Sequence, residues 1–304
     1  MAFSVTQANF NGKAAGFYIS AALKQAKSLE YMTVLENIKY KENIQKMAGS
    51  SLVVDNTCDF TSAGNLALTE SVLEPKNLQI NLSICKATLL TSWEALQMRA
   101  GRDAGASVSF DDYVVAYMGE IIANATEDSV WGGVTGNTGE FNGFTGYWLL
   151  PGTDATVVQS AAAGAYTDGT ILAELRTLSD SITGGTAVNV LGKEDAYIYM
   201  NQKTWQFYIQ AMSALTGYPY MHMNEDYQPV FEGIKIAVVP GMIDNQMVFA
   251  QSSNLFFGTD LLSDSTRISL LDMANLDGSD NINLVARYTA GVVTGVGADI
   301  VRQS

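Results

Sequence analysis

The chain has one histidine, two cysteines and five prolines in 304 residues, and only 16% of its positions are charged. Each shortage excludes a class of chemistry. With a single His and only Cys58 and Cys85, no zinc-ligand spacing exists. His222 lies in Tyr218-Pro-Tyr-Met-His-Met-Asn224, among aromatic and thioether side chains. General-base work requires an orienting partner, so His222 reads as a packed or interface residue. Neither a Walker loop nor a G-x-G-x-x-G unit opening a helix after a strand is present. No catalytic, cofactor-binding or metal residue is assigned, and no cofactor is expected. No uncharged apolar run reaches the roughly 18 residues of a membrane span. The best stretch, between Arg287 and Asp299, is too short and too rich in glycine. The N-terminus, MAFSVTQANFNGKAAG, has no cationic segment followed by an apolar block, which points to a cytosolic, unsecreted product.

What the chain does have is apolar surface and too few charges to cover it. Apolar residues make up 47% of the sequence, whereas an average soluble domain is roughly 25% charged. Oligomerisation is the simplest physical remedy, because surface buried between subunits needs no solvation. The length exceeds what one core organises, so two subdomains are expected. Charge is uneven: residues 1–100 hold nine Lys and Arg against eight acids, and the remainder holds eight against 23. A mildly basic arm with six dispersed lysines (Lys13, Lys24, Lys27, Lys39, Lys41, Lys46) therefore precedes an acidic body. Without arginine or interleaved aromatics this is a poor nucleic-acid footprint, and an arm docking on the acidic body of a neighbouring copy explains it better. An acidic surface also repels DNA at close range, which argues against a sequence reader.

The carboxylate pairs Asp111/Asp112, Glu127/Asp128 and Glu225/Asp226 have structural accounts. The first occupies the opening turn of a helix after Ser109, where negative charge complements the dipole. The cluster Gly132, Gly133, Gly136, Gly139, Gly143 and Gly146 follows a helix and is punctuated by Thr and Asn, which is loop chemistry.

Along the chain, residues 13–30 suggest a short helix, and alternating segments follow at 31–40, 43–46 and 51–54. Two extended runs, Asn65 to Leu73 and Leu78 to Leu90, are linked through Glu74-Pro75-Lys76-Asn77 and read as a long hairpin. At ~3.3 Å per residue the second run spans about 40 Å, and a two-stranded ribbon of that length needs cover from outside the monomer. Cys58 and Cys85 are expected at its base as small buried thiols. Phe110, Tyr113, Val114, Tyr117, Met118, Ile121, Ile122 and Ala125 recur at helical spacing over 109–126, with Asn124, Thr126 and Glu127 closing the helix. After a low-complexity stretch at 157–165, a second subdomain holds a helix at 168–183, with Ile171, Leu172, Leu175, Leu178 and Ile182 as its apolar stripe, and a strand at 196–200. A helix capped by Asn201 and ended by Gly217 follows, with Trp205, Tyr208, Ile209, Met212 and Leu215 as its buried stripe, then strands at 234–239 and 247–251. Residues 267–273 and 282–303 read as two strands joined by a turn at Asn275, Asp277 and Gly278. In the second, Ala286, Tyr288, Ala290, Val292, Val296, Ala298 and Ile300 share the buried parity. Gly291, Gly295 and Gly297 on the thin face signal curvature or close contact with a neighbour.

That order resembles the tailed-phage major capsid proteins, whose shell fold is shared with encapsulins and the floor of herpesvirus capsids. The resemblance is carried by an N-terminal arm, a projecting hairpin, a spine helix, the Phe141-Asn142-Gly143 element and an inserted axial domain. Within that domain, Ala196 to Trp205 looks like the family's strand–Asn–helix signature and Pro229 to Gly241 like its later strand and loop. Gln251 to Asp260 looks like the return to the peripheral domain. The segments Cys58 to Gly64, Cys85 and Thr91 to Ala95 are similar to capsid proteins of phages of Bacteroides and Flavobacterium relatives.

The resemblance implies an α+β shell fold divided into an N-terminal arm (1–40), an extended hairpin loop with flanking strands (41–92), a first peripheral segment (93–163), an axial domain (164–262) and a second peripheral segment (263–304). It implies a structural protein of the virion, not an enzyme, that assembles with itself into hexamers and pentamers in the host bacterial cytoplasm. The shell would enclose double-stranded DNA without sequence-specific binding or a membrane. Scaffolding, portal and possible decoration proteins are the implied partners. An encapsulin-like nanocompartment shell, a tail-tube or adhesin subunit and a soluble hydrolase are the alternatives.

Overall fold

The computed structural model describes residues 8–10, 27–50, 64–85, 110–134, 156–160, 164–214, 229–260, 267–276, 278–279 and 281–303, with isolated positions 53, 55, 58 and 146. The expected helix over 13–30 up to residue 26, Phe141-Asn142-Gly143, His222, Glu225/Asp226 and Thr91 to Ala95 lie outside them.

A long strand organises the first sheet. β13 (Asn281–Thr294) alternates as the sequence predicts: Ile282, Leu284, Ala286, Tyr288 and Ala290 are buried, while Arg287 is exposed. It pairs antiparallel with β12 (Arg267–Asp272) in the expected C-terminal hairpin, and β12 pairs with β1 (Ala8–Phe10). Further along, β13 pairs with β11 (Leu255–Gly258), which takes β2 (Thr33–Leu35) in parallel. The buried face of this sheet packs on α1 (Phe110–Gly132), sharing a core with Ile122, Val130 and Trp131.

The hairpin expected between 65–73 and 78–90 is not formed. β4 (Asn65–Leu73) pairs instead with β3 (Glu42–Ser50), and β5 (Lys76–Cys85) pairs with residues 281–290 of β13. The connection at Glu74-Pro75 therefore turns the chain from one ladder into another. Leu78, Ile80 and Leu82 pack on the monomer's own core, so the apolar face of that run needs no outside cover. β3 extends the segment expected at 43–46 to nine residues, and the segment expected at 51–54 lies outside the described residues except for position 53. The physical reason is partner choice: both runs alternate correctly, but alternation does not say which strand lies alongside.

The second sheet runs β6 (Val158–Gln159), β14 (Val301–Gln303), β10 (Met247–Gln251), β7 (Ala196–Met200), β9 (Ile234–Val238) and β8 (Val230–Phe231). Both its faces are covered. Ile198, Met200, Ile236 and Phe249 meet α2 (Ile171–Gly184) and α3 (Gln202–Ala214), whereas Tyr199, Ala237, Val248 and Ala250 meet Trp131 and Met32 in the other core. Two-sided burial explains why β10 and most of β7 read as continuous apolar runs. On α2 the stripe Ile171, Leu175, Leu178 and Ile182 is fully buried, as the spacing predicts. Asn201 caps α3, its Oδ1 accepting the Thr204 N–H at 2.7 Å. Ile209 departs from the predicted stripe and is 40% exposed, its place being taken by Ala211. The β8–β9 turn places Glu232 and Gly233 both at positive φ, the signature of a two-residue hairpin turn.

The expected strand to residue 303 is two strands in different sheets. Asn254 makes the switch: its Oδ1 accepts the Val296 N–H at 2.6 Å and its Nδ2 donates to the Val296 carbonyl at 2.9 Å. A Cβ on Gly295 would strike Asn254 Oδ1, and one on Gly291 would lie 2.9 Å from Pro75 Cα. Both readings of the thin face hold, curvature at Gly295 and backbone contact at Gly291. The last residues, expected with the first sheet, belong to the second.

Candidate functional site

No cluster of three or more His, Cys, Asp or Glu side chains capable of holding a metal occurs among the described residues. The features that remain are a projecting ribbon and the buried junction behind the first sheet.

In the β3–β4 ribbon, paired residues share a face, so Asn43/Val72, Gln45/Glu70, Met47/Leu68 and Gly49/Leu66 form one side. Val72, Leu68, Met47 and Leu66 are all exposed, Met47 at 69% and Leu68 at 60%. Four large apolar side chains thus line one face of a ribbon about 30 Å long, with nothing described over them. At the base the opposite situation holds. Leu73 is fully buried with Ile38 and Val293, and Ile44 packs against them. A Cβ on Gly258 would press on the Leu73 side chain. Glu74 Oε1 accepts from Lys76 Nζ at 2.6 Å, and its Oε2 meets Lys41 Nζ at 2.9 Å. The Lys76 hydrogen bond foremost, with that of Lys41, holds the Glu74 carboxyl at about 2. The ribbon is therefore anchored at its root, and the four apolar side chains of its one face are exposed among the described residues.

Cys58 and Cys85 are free and exposed, not the buried thiols expected. Cys85 ends β5 on the parity that faces away from the core, beside exposed Asn81 and Ser83.

Glu127 is the residue the sequence reading misplaced. α1 runs on to Gly132 instead of closing near 126, because Glu127 finds its partners inside the protein. Glu127 is 6% exposed; its Oε2 accepts the Ser28 N–H at 3.0 Å, and its Oε1 accepts the Ser28 hydroxyl at 2.5 Å and the Gly241 N–H at 3.3 Å. Trp131 Nε1 donates to the same Ser28 hydroxyl at 2.7 Å. One carboxylate so joins the 3-10 turn at Lys27–Tyr31, the end of α1 and the loop after β9. Gly241 must be glycine: a Cβ there would strike the Glu127 carbonyl. Next to it, the Tyr199 hydroxyl donates to the Tyr31 carbonyl at 2.7 Å, and burial pushes that phenol well above its ordinary value. This network tethers and orients; its one hydroxyl donor to the carboxylate, Ser28, is fully buried.

No protein-family model and no curated protein matches the sequence. Solved structures do match its fold. A chain of the satellite phage P4 procapsid is 12% identical with a TM-score of 0.61, the match covering 95% of this chain and 98% of that one. The cyanophage A-1(L) capsid gives 11% identity and a TM-score of 0.61 over 92% of each chain. The capsid of an empty GTA particle gives 14% identity and 0.57, covering 91% and 89%. The chain has the phage capsid shell fold. Each of these matches covers more than nine-tenths of this chain. No helix among the described residues is long and apolar enough to cross a membrane.

Proposed function

We propose that this chain is a major capsid protein, a structural protein that assembles with copies of itself into the icosahedral head enclosing the double-stranded DNA genome of a tailed phage. The observation that carries the reading is a shell fold with an anchored ribbon whose apolar stripe is covered by none of the described residues. Residues 1–40 serve as an arm, 41–92 as the extended loop with its flanking strands, 93–163 and 263–304 as the peripheral domain, and 164–262 as the axial domain around the five- and six-fold axes. The final strand crosses from the peripheral to the axial part. Scaffolding, portal and decoration proteins complete the particle in the host cytoplasm. Many weak, repeated contacts combine through effective concentration into a closed container.

The test is Leu68→Asp together with Met47→Asp, assayed by electron microscopy and circular dichroism. The reading predicts closed shells for the unaltered chain, and a folded subunit that no longer assembles for the double variant. Shells formed equally well by the variant refute the role of the stripe. Purified particles that hold an enzyme and no DNA would point to a nanocompartment instead.

A further inference from the structure

The apolar stripe of the ribbon holds one side chain that can change its polarity. Val72, Leu68 and Leu66 are plain hydrocarbon, whereas Met47 carries an oxidisable thioether. Among the methionines with described side chains, Met47 stands apart. Met32 and Met242 lie in one core and Met200, Met212 and Met247 in the other, none more than 9% exposed, and Met273 is half-buried. Met47 is 69% exposed, inside β3 and directly opposite Leu68. An oxidant must reach the sulfur, so exposure selects Met47 from this set.

We propose that Met47 is an oxidation switch on assembly: a peroxide converts its thioether to the sulfoxide in the free subunit, and the oxidised stripe no longer supports the shell. This rests on the capsid reading and deepens it, since it gives the stripe a means of regulation. In the step, the sulfur lone pair attacks one oxygen of hydrogen peroxide and the O–O bond breaks. Sulfur keeps that oxygen and gives up two electrons, and the other oxygen, reduced, leaves as water with both protons. The product is a polar, strongly accepting group on a face chosen for hydrocarbon. Val72, Leu68 and Leu66 offer it no side-chain donor, and an unpartnered polar group taken out of water costs roughly tenfold to a hundredfold in affinity. Every copy carries the same stripe, so the loss repeats at each contact of the shell. Seating of the stripe takes the sulfur out of solvent, so the switch acts on free subunits and spares closed shells.

The experiment uses the full chain in a Cys58→Ser, Cys85→Ser background, because both thiols are free and exposed and would react as well. Subunits are treated with hydrogen peroxide and then freed of it. Light scattering and electron microscopy follow shell formation, circular dichroism checks the fold, and peptide mass spectrometry locates the added oxygen. Met47→Leu, similar in volume and lacking the sulfur, is the comparison. Oxygen should enter Met47 before the buried methionines, and the concentration needed for assembly should rise at least about tenfold with the fold intact. The same treatment should leave Met47→Leu unaffected. Methionine sulfoxide reductases, one for each sulfoxide epimer, should restore assembly of the oxidised chain, a readout that holds even where Met47→Leu itself assembles poorly. Assembly at an unchanged concentration after oxidation, equal loss in Met47→Leu, loss of the fold, or no recovery on reduction overturns the switch and leaves the capsid reading standing. Untreated chain that stays monomeric at every concentration overturns the capsid reading with it.

Discussion

Replacing Glu127 by alanine tests the buried junction directly. The carboxylate accepts from the Ser28 N–H, the Ser28 hydroxyl and the Gly241 N–H. In Glu127→Ala the hydroxyl still accepts from Trp131 and can rotate, but two backbone N–H groups are left buried without an acceptor. An unsatisfied buried group costs about 1–3 kcal/mol, so the gross loss is ~2–6 kcal/mol. Two effects oppose it: the charge sits near the C-terminal end of α1, where the helix dipole disfavours it by about 0.3–1 kcal/mol, and the cost of burying a carboxylate disappears. The net expectation is a destabilisation of ~2–4 kcal/mol, with Glu127→Gln costing less because one oxygen remains to accept. Urea unfolding of the unassembled subunit, followed by far-ultraviolet circular dichroism, reads the shift in midpoint. Exchange over residues 27–31 should accelerate in parallel. An alanine variant within about 0.5 kcal/mol of the parent, an ordinary surface value, would refute the junction's structural role.

Other outcomes follow from the same geometry. Gly291→Ala places a Cβ against the backbone of Pro75 and Glu74, and overpacking of this kind costs about 1–3 kcal/mol, measurable in the same urea assay; a neutral result contradicts the close approach. The Glu74 carboxyl, depressed to about 2 by Lys76 and Lys41, contributes its pairing fully above the ordinary value of 4.5 and loses it as pH falls through about 2. Carboxyl titration followed by NMR should show that low midpoint, rising with added salt; a midpoint near 4.5 refutes the triad. Deleting 44–71 with a short turn in its place should leave a folded subunit that does not assemble. Deleting 60–90 removes β5 from the core and should unfold it, as circular dichroism will report.

Much of the fold is legible where the signal is local. The α2 stripe, the strand at 196–200, the Asn201 cap and the alternation of β13 up to Ala290 all depend on residues within a few positions of one another, and all stand as read. Partner choice is nonlocal, and there the reading failed. Leu78, Ile80 and Leu82 announce a buried face, but only the fold shows that β13 lies alongside. In sequence Glu127 reads as a helix end because a polar residue after Thr126 looks solvated, yet its donors come from 99 and 114 positions away. The available hints were Val130-Trp131 continuing the apolar period of α1 beyond it and Gly241 following Pro240. The break after Thr294 was signalled by Gly295 and Gly297, which marked curvature without revealing a change of sheet.

The account stands on an apolar stripe, Val72, Leu68, Met47 and Leu66, that the described residues of one copy leave exposed. Cryo-electron microscopy of the purified chain measures this most directly. A closed icosahedral shell is expected, with the stripe of each ribbon seated on an adjacent copy. Monomers, or particles in which those four side chains still face solvent, would contradict it.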